Sequence, residues 1–158
     1  MAGLGDGAAV TKLRAATAAD VPTIRRIVER AYGGYVARIG KPPGPMLDDY
    51  TARVAEDVVQ VLEAGGRVVG VLVLIPAADH LLLDNVAVDP RAQGRGYGCL
   101  LVAAAEAAAR RAKLPELRLY THELMTENIA LYLRLGFVET HRGEQAGYAR
   151  VFMRKRIS

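Results

Sequence analysis

The spacing of apolar residues predicts two helices in the first third of the chain. Val21, Ile24 and Ile27 recur at helical intervals after the polar capping residues Thr17 and Asp20, so a helix is expected from residue 21 to about Arg38. Residues 40–45 are rich in glycine and proline and break the chain. A second, short helix is expected over residues 46–55.

The rest of the chain alternates between strand and helix patterns. Strands are expected at residues 12–16, 58–62, 67–75, 81–88, 117–121, 137–142 and 148–156, and helices at residues 96–114 and 126–135. The unit formed by strand 81–88, the long helix and strand 117–121 is expected to be parallel and right-handed. This order of elements indicates a mixed α/β fold.

Length and composition indicate one domain. The chain has 158 residues, of which 51% are hydrophobic and 24% charged, as is typical of globular proteins. The longest apolar run, residues 70–78, is too short to span a bilayer, so no membrane contact is expected. Residues 1–10 are expected to form a flexible tail and residues 11–158 a single domain, with the cytoplasm as the compartment.

Charge and cysteine content limit the partners and cross-links that the sequence predicts. The net charge is +4, and no run of five or six like charges occurs, so no nucleic-acid partner is expected. The single cysteine, Cys99, excludes an internal disulfide and is expected to pack, buried, on the sheet. No metal site is expected, and the chain is expected to be a monomer or a homodimer.

The segment from residue 86 to residue 98, VAVDPRAQGRGYG, carries the strongest chemical signal. An apolar strand ends at a proline, and a glycine-rich loop opens an alanine-rich helix. Glycines let backbone N–H groups approach a ligand, and the first N–H groups of a helix have no internal partner, so such a loop favours phosphate. A Walker loop would need a lysine after the last glycine, and a dinucleotide fingerprint would need a glycine at Cys99. The sequence has neither.

Two motifs in this region match one family. Gln93, Gly96 and Gly98 form a Gln-x-x-Gly-x-Gly pattern, which resembles the acetyl-CoA-binding motif of the GNAT N-acetyltransferase superfamily. Residues 128–137 are similar to the family's Asn-x-x-Ala-x-x-x-Tyr-x-x-x-Gly-Phe segment, with the tyrosine one position earlier. The resemblance extends loosely over residues 12–156 and is specific over residues 84–140.

The resemblance implies a fold, a cofactor and a set of residues that bind it. The fold is a mixed, mostly antiparallel sheet with flanking helices and a splayed parallel strand pair that holds acetyl-CoA. The backbone of Val86, Ala87 and Val88 is expected to pair with the pantetheine arm. Asn128 is expected to bond the pantetheine or the loop, and Tyr132 to protonate the departing thiolate. The residues expected at the pyrophosphate are Gln93, Gly94, Arg95, Gly96, Tyr97 and Gly98.

The general base has three candidates. An amine must lose a proton before it attacks a thioester, and a carboxylate or a histidine can take that proton. Asp84, Glu123 and His122 are the candidates near the predicted strand ends. Many relatives carry a glutamate where this chain has Leu82, whereas Asp84 with Asn85 resembles the acid–asparagine pair of other branches.

The acceptor is open at this stage. The proline-rich break lies in the region that covers the acceptor site in the family, so the resemblance implies substrate contacts there. The residues concerned are Tyr32, Tyr35, Arg38, Met46 and Tyr50, together with His122. The expected function is acetyl transfer from acetyl-CoA to a primary amine of a small molecule or peptide by direct attack. A non-catalytic acyl-CoA-binding sensor or scaffold is the alternative, and a nucleotide-binding protein is a second one.

Overall fold

Seven strands form one sheet within residues 10–158, the part of the chain that the computed structural model describes. They are β1 (Thr11–Ala15), β2 (Val59–Ala64), β3 (Arg67–Pro76), β4 (Leu81–Val88), β5 (Glu116–His122), β6 (Val138–Gln145) and β7 (Tyr148–Arg156). Their order in space is β1-β2-β3-β4-β5-β7-β6, and among these neighbours β4 and β5 form the parallel pair. The predicted fold class is therefore confirmed. Of the predicted tail, residues 1–9 lie outside the described part of the chain.

Helices cover both faces of the sheet. They are α1 (Val21–Tyr32), α2 (Tyr35–Ile39), α3 (Tyr50–Ala55), α4 (Tyr97–Arg111) and α5 (Thr126–Arg134). Successive residues of a strand point to opposite faces, so β2 sends Val61 to the core under α1 and Leu62 to the core under α4. No helix within residues 10–158 has both the length and the apolar character needed to cross a bilayer.

Helix α4 packs closely on the sheet because small residues line the contact. Ala105 and Ala109 lie one and two turns after Leu101, and all three are fully buried. Gly70 of β3 faces this helix, and a Cβ atom at Gly70 would lie 3.1 Å from Leu101 Cδ1. The glycine leaves room for the leucine, and this close packing holds the start of α4 beside the end of β4.

The first predicted helix ends earlier than the apolar pattern indicates. It was expected to reach about Arg38, but α1 ends at Tyr32 and α2 begins at Tyr35. At Gly33 between them, a Cβ atom would lie 2.6 Å from the carbonyl oxygen of Glu29, so only glycine fits this turn.

The helix predicted over residues 46–55 is divided in two. A 3-10 turn covers Gly44–Leu47, Asp48 is extended, and α3 begins at Tyr50. The Asp49 side chain accepts a hydrogen bond from the Ala52 N–H at 3.1 Å and caps α3. Aspartate favours such caps over helix interiors, which is why the helix begins late. In the last hairpin, β6 extends to Gln145 rather than ending at residue 142.

A partly buried ion pair joins β1 to the start of α1. The Asp20 carboxylate accepts hydrogen bonds from the Arg14 guanidinium at 2.8 and 3.0 Å and from the Thr17 N–H at 2.7 Å. The Arg14 guanidinium lowers the pKa of the Asp20 carboxyl from 3.8 to about 2. A lowered pKa means that the pair stabilises the fold at neutral pH and loses this effect as the pH falls from about 4 towards 2.

We expect Asp20→Asn to lower the free energy of unfolding by about 2 kcal/mol at pH 7, because the ion pair is lost. Urea denaturation should show the difference between wild type and variant shrinking as the pH is lowered from 4 towards 2. Glu144→Gln on the exposed strand β6 is the control and should stay within about 0.5 kcal/mol of wild type. A difference for Asp20→Asn that persists undiminished at pH 2 would contradict the assignment.

Candidate functional site

Strands β4 and β5 separate shortly after they meet. They pair only through Leu81 with Leu117 and Leu82 with Arg118, although β4 continues to Val88 and β5 to His122. The remaining residues of the two strands diverge and leave a wedge-shaped gap in the middle of the sheet, here called the β4–β5 gap. A gap of this kind exposes backbone groups that a neighbouring strand would otherwise bond.

A bulge in β4 turns two polar residues towards this gap. Leu83 pairs with Leu74 of β3 and Asn85 pairs with Val73, so Asp84 is an extra residue on β4. In a regular strand Leu83 and Ala87, four residues apart, would point to the same face of the sheet. Here Leu83 packs in the core under α4 and Ala87 in the core under α1, so the bulge reverses the alternation of side chains. As a result both Asp84 and Asn85 line the same cavity.

The β4–β5 gap holds a cavity of about 320 Å³. Its walls come from α1, α3, α5, β4, β5, β7 and the loop before α3. Its polar and charged lining includes Asp48, Arg53, Asp84, Asn85, His122, Asn128, Tyr132 and Arg150. The structure therefore brings together Asp84, Val86, His122, Asn128, Tyr132 and Tyr32 from the residues singled out in the sequence.

Tyr132 has a free hydroxyl in this cavity. It lies on α5 one turn after Asn128, and its ring meets Phe137 edge-on with 5.6 Å between centroids. Its hydroxyl makes no hydrogen bond to any part of the chain that the structure describes. Burial raises the pKa of Tyr132 from 10.0 to about 12, so the hydroxyl stays protonated at neutral pH and can donate a proton or a hydrogen bond.

Asn85 is the centre of a buried hydrogen-bond network. The Tyr32 hydroxyl lies 2.7 Å from Asn85 Oδ1 and 3.0 Å from the Val86 carbonyl oxygen, and these two acceptors share its single proton. Asn85 Nδ2 donates to the Tyr50 hydroxyl at 3.0 Å, and that hydroxyl donates to the Pro45 carbonyl at 2.6 Å. The network ties α1 and the loop before α3 to the bulged part of β4. Burial raises the pKa of Tyr32 and of Tyr50, so both stay neutral.

Asp84 is the carboxylate on the gap side of β4. Its Oδ1 atom lies 3.5 Å from the Tyr120 hydroxyl of β5. Burial raises the pKa of the Asp84 carboxyl, and the charge of Arg53 opposes this effect. A carboxylate with a raised pKa is a stronger base than an exposed one, which suits proton transfer from an amine.

His122 and Glu123, the other two candidates for the general base, are less well placed to accept a proton than Asp84. Nδ1 of His122 accepts a hydrogen bond from the Leu124 N–H at 3.0 Å, so the ring carries its proton on Nε2. Burial lowers the pKa of His122, which keeps the ring neutral. Glu123 is exposed at the end of β5, and its side chain is not among those lining the cavity.

The glycine loop, residues 93–98, lies next to the open end of the gap. Gly94 and Gly96 both have φ +81, a left-handed conformation that favours glycine, and a Cβ atom at either would meet open space. Gln93 Nε2 lies 3.3 Å from the Val88 carbonyl oxygen. Arg95 is exposed, whereas the Tyr97 side chain is buried in the core under α4, so its backbone alone is available to a ligand.

Positive charge surrounds this loop. A second cavity of about 430 Å³ lies beside it and is lined by Arg26, Arg67, Arg91 and Arg95. Asp89 at the end of β4 is buried and accepts the Arg91 N–H at 3.0 Å. The excess of arginine here favours an anionic ligand on the loop.

The remaining residues named from the sequence lie away from the cavity. Arg38 pairs with Glu127 at 2.7 Å and lies over the Tyr35 ring, 4.9 Å from its centroid. Met46 packs at the edge of the core under α1, and Tyr50 is buried there. Cys99, expected to be buried, is exposed because it occupies the solvent side of the first turn of α4.

Several cavity residues were not identified from the sequence. Tyr120, Tyr148 and Arg150 come from β5 and β7, and Asp48 and Arg53 come from the segment around α3. Asp48 pairs with Arg53 at 3.1 Å. The alternation of β7 predicts that Tyr148 and Arg150 share a face, but not that this face meets the cavity.

Comparisons with known proteins agree with this architecture. Residues 22–137 match the model of the Acetyltransferase (GNAT) family. PaiA N-acetyltransferase from Thermoplasma acidophilum, in complex with coenzyme A, is similar with a TM-score of 0.78 at 15% identity, covering 93% of this chain and 99% of that one. The ribosomal-protein-S18-alanine N-acetyltransferase from Escherichia coli has a TM-score of 0.74 at 22% identity, covering 94% and 95%. No curated protein matches the sequence at a significant level.

We expect Tyr32→Phe to lower the free energy of unfolding by about 1–3 kcal/mol, because it removes the hydroxyl that bonds Asn85 and Val86 in a buried site. Chemical denaturation measures this change. Tyr35→Phe on α2 is the control, since it deletes the same atom at a half-buried position and should change stability by less than about 0.5 kcal/mol. Equal effects of the two substitutions would argue against the network.

Proposed function

The chain belongs to the GNAT acetyltransferase family, and we propose that it transfers the acetyl group of acetyl-CoA to a primary amine by direct attack. The observation that carries this proposal is the β4–β5 gap, which opens from the glycine loop at one end to the Tyr132 hydroxyl at the other. A thioester placed in this gap would have its phosphates at the loop and its sulfur near Tyr132.

Backbone groups along β4 support the binding of the cofactor. The carbonyl groups of Val86 and Val88 face the gap, where Tyr32 and Gln93 bond them. The N–H groups of the same two residues lie on the same edge of the strand, so they are available to the pantetheine amides and the thioester oxygen. Ala87 lies opposite Val71 of β3, and its side chain is in the core.

The loop and its arginines are the proposed binding site for the cofactor phosphates. The N–H groups of residues 94–98 open the N-terminus of α4, which is the positive end of the helix dipole. Arg91 and Arg95 flank this position from the second cavity. The Thermoplasma acidophilum relative is described in complex with coenzyme A, which fits the same cofactor here.

The proposed chemistry uses one side chain as a general base and another as a general acid. Asp84 takes a proton from the acceptor ammonium, directly or through water, and the neutral nitrogen attacks the thioester carbon. The C–N bond forms, and the C–S bond breaks as Tyr132 donates its proton to the departing thiolate. The second proton that the nitrogen loses in becoming an amide is returned through water to the Tyr132 oxygen, and Asp84 releases its proton to solvent. The Val86 N–H stabilises the negative charge that develops on the carbonyl oxygen. Asp84 is preferred to His122 because both ring nitrogens of His122 are already committed, Nδ1 to the Leu124 N–H and Nε2 to its own proton.

Incubation of the protein with acetyl-CoA and a panel of amines, with free thiol as the readout, tests this function. Release of thiol that depends on the amine supports an acetyltransferase. Tight binding of acetyl-CoA without release on any amine would instead favour a non-catalytic acyl-CoA-binding module. Stabilisation by ATP or NAD equal to that by acetyl-CoA would favour a nucleotide-binding protein.

We expect Gly96→Val to fold but to lose acetyl-CoA binding, because its side chain would cover the N–H groups of the loop. At 100 times its dissociation constant, acetyl-CoA should stabilise wild type by about 2.7 kcal/mol and raise the melting temperature. Gly66→Val in the β2–β3 turn is matched, since Gly66 has φ +82 and open space around it. Both variants should lose about 1–2 kcal/mol of stability, but only Gly66→Val should keep the acetyl-CoA shift. A full shift in Gly96→Val would place the phosphates elsewhere.

We expect Tyr132→Phe to lower kcat by about 100-fold, at the low end of general-acid effects, because a thiol is already a fair leaving group. The substitution keeps the ring against Phe137 and removes a hydroxyl without a partner in the described chain, so stability should hardly change. The affinity for acetyl-CoA should also be nearly unchanged, because the interaction strengthens only as the C–S bond breaks. Full kcat in this variant, with chemistry rate-limiting, would leave Tyr132 as a packing residue.

A further inference from the structure

Arg150 is a buried cation on the wall of the cavity. It lies on β7 with its guanidinium carbon 4.5 Å from the Tyr120 ring centroid and 4.8 Å from that of Tyr148. The residue is 9% exposed, and it lines the cavity together with both tyrosines. Its Nη2 atom would lie 3.6 Å from a Cβ atom at Gly44, so the guanidinium reaches across to the opposite loop.

This guanidinium has no anionic partner within residues 10–158. The ion pairs of the described chain include Arg53 with Asp48 and Arg38 with Glu127, but none that involves Arg150. Its buried Nε atom also has no hydrogen-bond partner. A buried charge without a counterion is costly, and stacking between aromatic rings offsets only part of that cost. The position therefore favours an anionic group supplied by a ligand.

Charges of both signs lie near Arg150. Lys41 lies over the Tyr148 ring, 4.1 Å from its centroid, and adds positive charge on the Arg150 side. His122, edge-on to the same ring, is neutral because burial lowers its pKa. The Asp84 carboxylate lies 3.5 Å from the Tyr120 hydroxyl, while the Arg150 guanidinium lies over the face of the same ring, and the charge of Arg150 lowers the pKa of Asp84.

We propose that the acceptor is a primary amine that also carries a carboxylate, with its nitrogen at Asp84 and its carboxylate paired with the Arg150 guanidinium. This inference rests on the proposed function and names its substrate class. The planar fork of an arginine matches a carboxylate with two parallel hydrogen bonds. Because Asp84 and Arg150 both lie against Tyr120, an amine and a carboxylate that are a few bonds apart, as in a free amino acid, suit the two groups.

Matched acceptors test the proposal in one folded protein. Free amino acids and their carboxamides differ only at the carboxylate, and kcat/KM for each is measured by thiol release from acetyl-CoA. We expect the acids to be preferred by about 10- to 100-fold, the effect of a hydrogen-bonded charge pair. Arg150→Met keeps the apolar stem between the rings and should remove this preference, lowering kcat/KM for the acids while leaving the carboxamides within about threefold.

Arg154→Met is the matched control. Arg154 follows Arg150 by four residues on the same face of β7, and its Nε atom is likewise buried without a partner, but it lies outside the cavity. This variant should keep the preference for the acids. Equal losses on acids and carboxamides in Arg150→Met, or no preference in wild type, would overturn the proposal, because Arg150 would then act on Asp84 or on the fold.

Binding separates failure of this inference from failure of the proposed function. If no amine is acetylated, the proposed function fails, and calorimetry of amino acids and carboxamides in the presence of coenzyme A still decides the role of Arg150. Binding that requires both the carboxylate and Arg150 supports the inference. Binding that does not depend on the carboxylate, binding that does not depend on Arg150, or no binding at all overturns the inference.

Discussion

The site depends on how β4 meets its two neighbours. One extra residue, Asp84, breaks the register with β3, and the pairing with β5 ends at Leu82. Backbone groups on the opened edge need partners, since an unpaired polar group that is buried costs free energy. Tyr32 and Gln93 supply side-chain partners to the carbonyl groups of Val86 and Val88. The strand is thus held open by side chains, and its N–H groups are left for a ligand.

Burial favours the neutral form of the titratable side chains in the cavity. It raises the pKa of Tyr132 and of Asp84, so the tyrosine keeps its proton and the carboxylate becomes a better base. The same burial keeps His122 neutral. Arg53 is neutralised by Asp48, whereas Arg150 is held by aromatic rings instead of a carboxylate. This difference between the two arginines is the basis for assigning an anionic group to the acceptor.

The comparisons show that proteins of low sequence identity share this fold. The relatives described above share 15% and 22% of their residues with this chain, yet almost the whole of each chain superposes. At that level of identity the shared property is the fold, so the residues of the proposed acceptor site are interpreted from their own contacts. Asp84, Tyr120 and Arg150 are such residues, because they come from three different strands of the opened sheet.

The sequence by itself determined the features that depend on local chemistry. Apolar periodicity predicted the strands and most helices, the glycine pattern predicted the loop that opens α4, and the spacing of Asn128 and Tyr132 placed them on one face of a helix. Tertiary structure decided the rest. The bulge at Asp84 depends on the register with β3, and Arg150 reaches the cavity because β7 pairs antiparallel with β5, with Arg150 opposite His122. Strand pairing of this kind joins residues far apart in the chain, so no local pattern encodes it.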